Sequence, residues 1–283
     1  MPMQVKKLLD EGTSSPYVAR LWLGVIELRV PAMARLASPE KREETQRRFD
    51  QLYKAVLEAL LGIRAASREI GTIVSDHRRR VSEGKGRVVR SHLEIDETVQ
   101  PELSRLFGEL LEKGYVALKG VQEPLRMLGY EIGFLFQKPD AFQGGLSKLR
   151  AANEGAFADY IARVRSEWSE AFLAMRGDYI HKHRVLPQFT YTVQPDGSIR
   201  AEEPQTLGLP VGLYAKRTAN RVVLFVEEIM VYAIGRCLGS PFEIAEIPPG
   251  ERDPACCKRF ELGVEGSPRG AWQPIYVEVS DLA

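Results

Sequence analysis

One stripe of large apolar residues between positions 153 and 182 constrains the fold more than any other feature of the chain. Its members are Phe157, Ile161, Val164, Trp168, Phe172, Met175 and Tyr179. They recur at steps of 4, 3, 4, 4, 3 and 4 residues, which is the period of one helix face. We therefore predict a continuous amphipathic helix of about six turns. It begins near Asn153, a suitable N-cap, and ends by Pro187, because the residue before a proline resists helical angles.

Four other stretches carry the same helical period and indicate that the rest of the core is also helical. A long helix, or two nearly collinear ones, is predicted from Ser38 to an end near Glu83. Shorter helices are predicted from Pro101 and again after Gly120. A final helix is predicted over 218–238, with a glycine and then a proline following it in the order that helix ends favour.

Alternating stretches predict short strands between and after these helices. "QFTYTV", "QPDG" and "SIRAE" together predict a β-hairpin over 188–202, since turn residues separate two alternating runs. Residues 84–100 contain two glycines without a helical period and are interpreted as a loop or a short strand. In the tail, "FELGV" and "PIYVEV" predict a further pair of short strands.

The predicted fold class is mainly α. It is a helical bundle with β-hairpin embellishments and a short-stranded C-terminal tail, the economical arrangement for helices joined by loops. We predict an N-terminal helical region over 1–97, the bundle over 98–240 with the hairpin 188–202 as an insertion, and the tail over 241–283.

Composition excludes several classes of protein. The 283 residues are 44% hydrophobic and 27% charged, with a net charge of +1, so no overall field draws in nucleic acid or membrane. The chain lacks an early signal-like apolar run and any stretch long enough to span a bilayer. We predict a cytoplasmic protein without membrane association. No phosphate-binding glycine loop and no hydrolase or zincin motif occurs, so we predict no cofactor.

The three cysteines predict neither a disulfide framework nor a metal site. Two of them, Cys256 and Cys257, are adjacent, and no further Cys or His stands at ligand spacing. Basic neighbours such as Arg252 and Lys258 favour the thiolate form, so a redox role for this pair stays open as an alternative.

The end of the stripe helix, "RGDYIHKHRVLP", concentrates side chains that can do chemistry. Its polar and titratable members are Arg176, Asp178, Tyr179, His181, His183 and Arg184. A histidine can take or give a proton near neutral pH, and an arginine offers forked donors to a phosphate. The structural alternative is simpler, because cations in the last helical turn are favoured by the helix dipole without any function.

This segment resembles the signature of the HEPN superfamily, in which a helix of the bundle ends in Arg, four to six residues, then His. Arg176 and His181 match it, and the "H-x-R-x-L-P" of 183–187 resembles the exit from that helix. The resemblance covers roughly residues 100–240. It implies a HEPN-like bundle, a homodimer in which two motif copies face a cleft, and metal-independent RNA cleavage in active members. Arg176 and His181 are then the candidate catalytic residues. The candidate substrate-binding residues are Asp178, Tyr179, His183 and Arg184.

Two features of this segment bear on whether Arg176 and His181 can act together. Residues five apart on an ideal helix point about 140° apart, so Arg176 and His181 share no face unless the last turn loosens or the arginine reaches round. A dimer would ease that geometry. Gly177 departs from the family pattern, which usually has a polar residue after the arginine. A glycine within a helix costs about 1 kcal/mol relative to alanine, and it permits local flexibility or close approach of another helix.

The segment of residues 76–92, hereafter the basic segment, is the second candidate site. Its candidate phosphate-binding cations are Arg78, Arg79, Arg80, Lys85, Arg87 and Arg90. His77 and His92 lie in the same run, and no aromatic residue does. Such a patch would supply affinity for a phosphate backbone but no sequence preference. The alternative is a solvated helix end followed by a loop.

Two functions from different classes follow. One is a homodimeric, metal-independent endoribonuclease that cleaves RNA by attack of the 2′-hydroxyl. The other is a non-catalytic binding or regulatory module that uses the same surface to hold RNA, a nucleotide or a protein partner.

Overall fold

The computed structural model describes residues 42–89, 92–95, 98–122, 126, 133–238, 242–251, 258–264, 266 and 273–277. Helix accounts for 71% of these residues, and the strands form small antiparallel units. The predicted mainly α class with β-hairpins is therefore confirmed. No described helix is both long and apolar enough to cross a lipid bilayer.

The helical segments include the predicted ones that lie within the described residues and one, over 139–151, that was not predicted. They are α1 (Arg42–Arg80), α2 (Gln100–Gly120), α3 (Pro139–Ala151), α4 (Gly155–Val164), α5 (Glu170–His181) and α6 (Val211–Leu238). Short 3₁₀ turns occupy Gly133–Phe136 and Pro249–Glu251. The predicted start of the first helix at Ser38 lies outside the described residues, as does most of the helix predicted after Gly120.

The first helix ends where its sequence predicts. α1 is followed by a π-helical turn, Val81–Lys85, and inside this turn Gly84 adopts a φ of +105°. Left-handed angles are accessible to glycine at little cost, so Gly84 stops the helix. The predicted end near Glu83 is confirmed.

The stripe helix is continuous but contains one wide turn. α4 and α5 are joined by a π-helical turn, Arg165–Ser169, in which the Glu170 amide donates to the Arg165 carbonyl. Two consecutive steps of four, from Val164 to Phe172, would rotate the stripe about 80° off its face on an ideal helix. The extra residue of a π turn restores the register. The first six members of the stripe are at most 8% exposed.

Asn153 is not the N-cap of that helix, so this expectation was wrong. It has a φ of 61° and ends α3. Its amide donates to the Arg150 carbonyl, and the Glu154 amide donates to the Leu149 carbonyl. These bonds form a Schellman motif, in which asparagine can replace the usual glycine. The short polar side chain that suits an N-cap also suits a left-handed position, so the sequence fitted both.

The strands are two to seven residues long and pair in antiparallel ladders. β1 (Gly86–Val89) pairs with β2 (His92–Ile95), β3 (Thr190–Val193) with β4 (Ile199–Glu202), and β5 (Gln205–Thr206) with β6 (Leu209–Pro210). β7 (Phe242–Glu246), β8 (Lys258–Val264) and β9 (Gln273–Val277) form a meander. The hairpin over 188–202 and the strand pair in the tail are confirmed. β7 and β5–β6 were not predicted.

α6 begins at Val211, earlier than the predicted 218. The Gly212 amide donates to Oε2 of Glu203 at 2.9 Å, and the Val211 amide donates to the Pro204 carbonyl at 2.8 Å. A carboxylate at a helix N-terminus accepts hydrogen bonds from amides that have no partner in the helix, and its negative charge is stabilised by the helix dipole. A side chain fifteen residues before the predicted start, and eight before the observed one, therefore sets where the helix begins.

The chain divides into two compact units. One comprises Gly62–Lys119 and Glu131–Val223, and its core includes Ile63, Phe107 and Phe172. The other is formed by the described parts of Met1–Leu61, Gly120–Tyr130 and Leu224–Ala283, with Leu60 and Phe225 in its core. All residues of the candidate sites discussed below belong to the first unit. The predicted division at residues 97 and 240 stays a prediction.

Candidate functional site

Small residues of α2 bring α5 close to it. A Cβ atom added at Gly114 would lie 2.9 Å from Cζ of Phe172, and one added at Gly108 would lie 3.1 Å from Cε1 of Tyr179. Such distances leave no room for a side chain without a shift of the neighbouring ring. α5 therefore packs directly on α2 from Phe172 to Tyr179, and residues 176–184, hereafter the Arg–His segment, lie at the end of this contact.

Tyr179 fastens the Arg–His segment to α2. Its hydroxyl donates to the Ser104 carbonyl at 2.6 Å, and its ring meets that of Phe107 edge-on with centroids 5.3 Å apart. Burial raises the pKa of Tyr179, and the hydrogen bond to Ser104 opposes that shift in part. The structure thus places this predicted substrate-binding residue in helix packing.

Arg176 is held by two residues of α2. Its Nε donates to Oε1 of Glu112 at 3.0 Å, and its Nη2 lies 2.9 Å from the same oxygen. Its guanidinium carbon lies 4.2 Å from the centroid of the Tyr115 ring, which is a cation–π contact. The Arg176 side chain is only 17% exposed and that of Glu112 is 39% exposed. The arginine is therefore fixed at one edge and on one face.

His181 contacts the same guanidinium within one chain. Nη1 of Arg176 lies 3.0 Å from Nε2 of His181. A guanidinium can only donate, so Nε2 is the acceptor and the ring proton is on Nδ1 in this arrangement. The His181 ring is otherwise exposed. The structure thus brings the two candidate catalytic residues together.

The arginine side chain, and not a loosened last turn, makes this contact. The Lys182 amide still donates to the Asp178 carbonyl at 3.1 Å, which is the ordinary i to i−4 bond of an α-helix. The long side chain of Arg176 reaches round the helix to His181. The geometric reason for a site composed of two chains is thereby removed.

Asp178 organises the end of α5. Its carboxylate accepts from Nζ of Lys182 at 2.7 Å and lies 3.5 Å from Nη1 of Arg184. Its carbonyl also accepts the Arg184 amide at 3.1 Å. The hydrogen bond from Lys182, followed by the charges of Lys182 and Arg184, lowers the pKa of Asp178. Asp178 and Arg184, both predicted to bind substrate, are thus paired with each other.

His183 and Gly177 have specific local conformations. His183 is exposed and left-handed, with a φ of 52°, at the position after a helix where glycine is preferred. A Cβ added at Gly177 would meet nothing within 4 Å. Among the described residues no helix approaches Gly177 closely, so that alternative is wrong for this part of the chain, and the alternative of local flexibility stays a prediction.

Two arginines of the basic segment, Arg79 and Arg87, form ion pairs with nearby carboxylates. Arg79 contacts Asp76 at 3.3 Å and Glu83 at 3.0 Å, and the hydrogen bond to Asp76 is the largest cause that raises the pKa of Arg79. In the same segment, Nε of Arg87 lies 3.0 Å from Glu94.

The remaining residues of the basic segment differ in exposure. Arg78 is half-exposed and lies 3.7 Å from Glu203, and Arg80 is partly buried. The Lys85 side chain and Arg90 lie outside the described residues. His77 is completely buried, with Nε2 2.9 Å from the Tyr191 hydroxyl and its ring 4.6 Å from that of Phe189. His77 therefore belongs to the core beneath the β3–β4 hairpin.

Cys256 and Cys257 lie outside the described residues, so the redox alternative stays untested. Across the described ranges, no group of three or more His, Cys, Asp or Glu side chains is arranged to hold a metal ion. The expected lack of a metal or cofactor stays a prediction.

Sequence reasoning missed Glu112, Tyr115 and Arg165. Glu112 and Tyr115 stand three residues apart on α2, a spacing that places them on one helix face, yet nothing in the sequence relates that face to Arg176. Arg165 is 12% exposed, donates to the Gln137 carbonyl at 3.1 Å and lies 4.2 Å from the Phe142 ring centroid. It ties the wide turn of the stripe helix to the segment before α3.

Comparisons of the chain with protein-family models, curated proteins and solved structures found no match.

Proposed function

We propose that this protein is a HEPN-like, metal-independent endoribonuclease that uses Arg176 and His181 on RNA. The observation that carries the proposal is the 3.0 Å contact between Arg176 Nη1 and His181 Nε2. It places a permanent cation beside a histidine nitrogen that carries a lone pair, and these two groups can supply charge stabilisation and proton transfer for cleavage of a phosphodiester by a neighbouring hydroxyl.

The two side chains would share the work as follows. A phosphate of RNA would accept from the N–H groups on the two Nη atoms of Arg176 that are not directed to Glu112 or His181, and the guanidinium would stabilise the negative charge that grows on the phosphate oxygens. His181 would turn its Nε2 from Nη1 to the reacting ribose. His181 would accept the proton of the attacking 2′-hydroxyl as the 2′-oxygen bonds to phosphorus, and would return that proton to the 5′-oxygen as the bond between phosphorus and the 5′-oxygen breaks. The products are a 2′,3′-cyclic phosphate and a free 5′-hydroxyl.

The test is cleavage of single-stranded RNA in the presence of EDTA. We expect cleavage to persist, to leave cyclic phosphate ends and to spare DNA, which lacks the 2′-hydroxyl. His181→Ala should lower kcat by about a hundredfold to ten-thousandfold, the usual contribution of a proton-transfer group. His183→Ala should have a milder effect, because no described residue connects His183 to Arg176.

A surface control separates these effects from a general loss of cations. Arg150 pairs with Asp159 at 2.8 Å on α3 and α4, and Arg150→Ala should leave cleavage unchanged. Cleavage that needs a divalent metal, or that His181→Ala leaves intact, contradicts the proposal.

A non-catalytic binding module is the second candidate, and two observations favour it. Glu112 already neutralises Arg176, and Gly177 supplies no side chain where the family pattern has a polar one. RNA, a nucleotide or an acidic protein segment would then bind at the Arg–His segment without reaction. Binding of RNA that Arg176→Ala weakens, without any cleavage by the wild-type protein, would establish this function.

The homodimer and the cytoplasmic location are further proposals, and they rest on the resemblance and the composition. Sedimentation at micromolar concentration tests the first. Since Arg176 and His181 meet within one chain, we expect the proposed chemistry to need no residue from a second copy.

A further inference from the structure

Two residues of α2, Glu112 and Tyr115, hold the Arg176 guanidinium, and neither belongs to the Arg–His motif. This pair is hereafter called the Arg176 seat. Oε1 of Glu112 accepts from the Nε edge of the guanidinium at 3.0 and 2.9 Å, and the Tyr115 ring lies under its face at 4.2 Å. Lys119 Nζ lies 5.1 Å from the centroid of the same ring. Because a guanidinium is planar, one held edge and one held face fix its orientation.

The remaining donors of Arg176 show what this orientation presents. An arginine has five N–H groups. One on Nε and one on Nη2 are directed to Glu112, and one on Nη1 is directed to His181. The other N–H of each Nη atom has no partner among the described residues. Two N–H groups on neighbouring nitrogens match two oxygens of one phosphate.

We infer that Glu112 is a positioning residue for the proposed reaction, acting through Arg176. It holds the Nε edge so that the two Nη atoms face the phosphate and remain beside His181. This inference rests on the proposed ribonuclease function. It also places the whole arrangement on α2 and α5 of a single chain.

The first experiment separates kcat from RNA affinity in Glu112 variants. We expect Glu112→Ala to lower kcat by about a hundredfold, the typical effect of misplacing a reacting group by about 1 Å. RNA affinity should be retained or increased, because a negative charge beside the phosphate is removed. Glu112→Gln keeps an oxygen that can accept from Nε, so it should recover much of the lost kcat.

Glu109 provides the matched control on the same helix. It pairs with Arg105 at 3.0 Å and has no contact with Arg176 among the described residues. Glu109→Ala makes the same change of charge one turn away and should leave kcat and KM unchanged. An increase in kcat in Glu112→Ala would show that Glu112 restrains Arg176, and it would overturn the inference. So would losses of RNA affinity equal to those of kcat.

A second measurement does not depend on cleavage. The ¹⁵N-resolved Nε–H signal of Arg176, assigned by its loss in Arg176→Lys, should exchange slowly with water in the wild-type protein and rapidly in Glu112→Ala. In Glu109→Ala it should stay slow. An Nε–H signal that Glu112→Ala leaves unchanged refutes the seat, even if the protein cleaves RNA. Absence of cleavage with a slow, Glu112-dependent signal refutes the ribonuclease and leaves the seat in place.

Discussion

The basic segment and the Arg–His segment both concentrate cations at the end of a helix, but they hold them differently. Arg79 pairs with Asp76, three residues away on its own helix, and with Glu83, four residues away in the π-helical turn that follows, and its side chain is 57% exposed. Arg176 pairs with Glu112, 64 residues away on another helix, and its side chain is 17% exposed. One arrangement is local and solvated, and the other depends on the tertiary fold.

This difference indicates which segment the fold has organised. Exposed pairs at i, i+3 and i, i+4 form in almost any helix and contribute a few tenths of a kcal/mol each. Holding a guanidinium against another helix restricts its rotamers and removes much of its water. Such an arrangement fixes an orientation, which is what a site for a phosphate needs. The Arg–His segment is therefore the stronger candidate site.

The largest expected difference between the two segments is in kcat. Arg176→Ala should lower kcat by about a hundredfold to a thousandfold, as removal of one transition-state donor does elsewhere. Arg79→Ala should change RNA affinity and leave kcat unaltered. It should reduce the slope of log affinity against log salt concentration by less than about 1, which is the value expected for one full phosphate contact. Cleavage rates and affinities at several salt concentrations measure both. Equal losses of kcat would remove the distinction.

A glycine pair tests whether α5 has one packed side and one open side. In Gly114→Ala the new Cβ would press on Phe172 and Ile63, and such overpacking costs about 1–3 kcal/mol. In Gly177→Ala the Cβ enters open space, so the free energy of unfolding should rise by up to about 1 kcal/mol. Denaturant unfolding of both variants gives the signs. Destabilisation by Gly177→Ala would mean that another element covers this side.

Removing one tyrosine hydroxyl next to each segment shows how much that hydroxyl contributes to the free energy of unfolding. Tyr179→Phe removes the bond to the Ser104 carbonyl and should lower the free energy of unfolding by about 1 kcal/mol. Tyr191→Phe removes the hydroxyl next to His77 and should cost a similar amount or more, because the group that loses this partner is a nitrogen of a completely buried ring. Thermal unfolding measures both variants. If Tyr179→Phe stayed folded under assay conditions but lowered kcat, Tyr179 would have a role in substrate binding beyond its packing role.

Periodicity and turn chemistry predicted most of the local structure. The stripe from Phe157 to Tyr179 predicted a continuous helix, and "QPDG" predicted the turn between β3 and β4. These features depend on residues a few positions apart, so the sequence contains their determinants. Asn153 shows the limit of this reasoning, because the same side chain suits the start of one helix and the end of another. Only the positive φ decides between them.

The sequence by itself determined which helix would carry the Arg–His segment and which side chains that segment would contain. The tertiary structure decided what those side chains touch. Gly108 and Gly114 let α2 approach α5, and this approach brings Glu112 and Tyr115 to Arg176 and directs Tyr179 into the packing. The physical reason is that helical period records which residues share a face of one helix, whereas the partner of that face is selected by packing between distant parts of the chain.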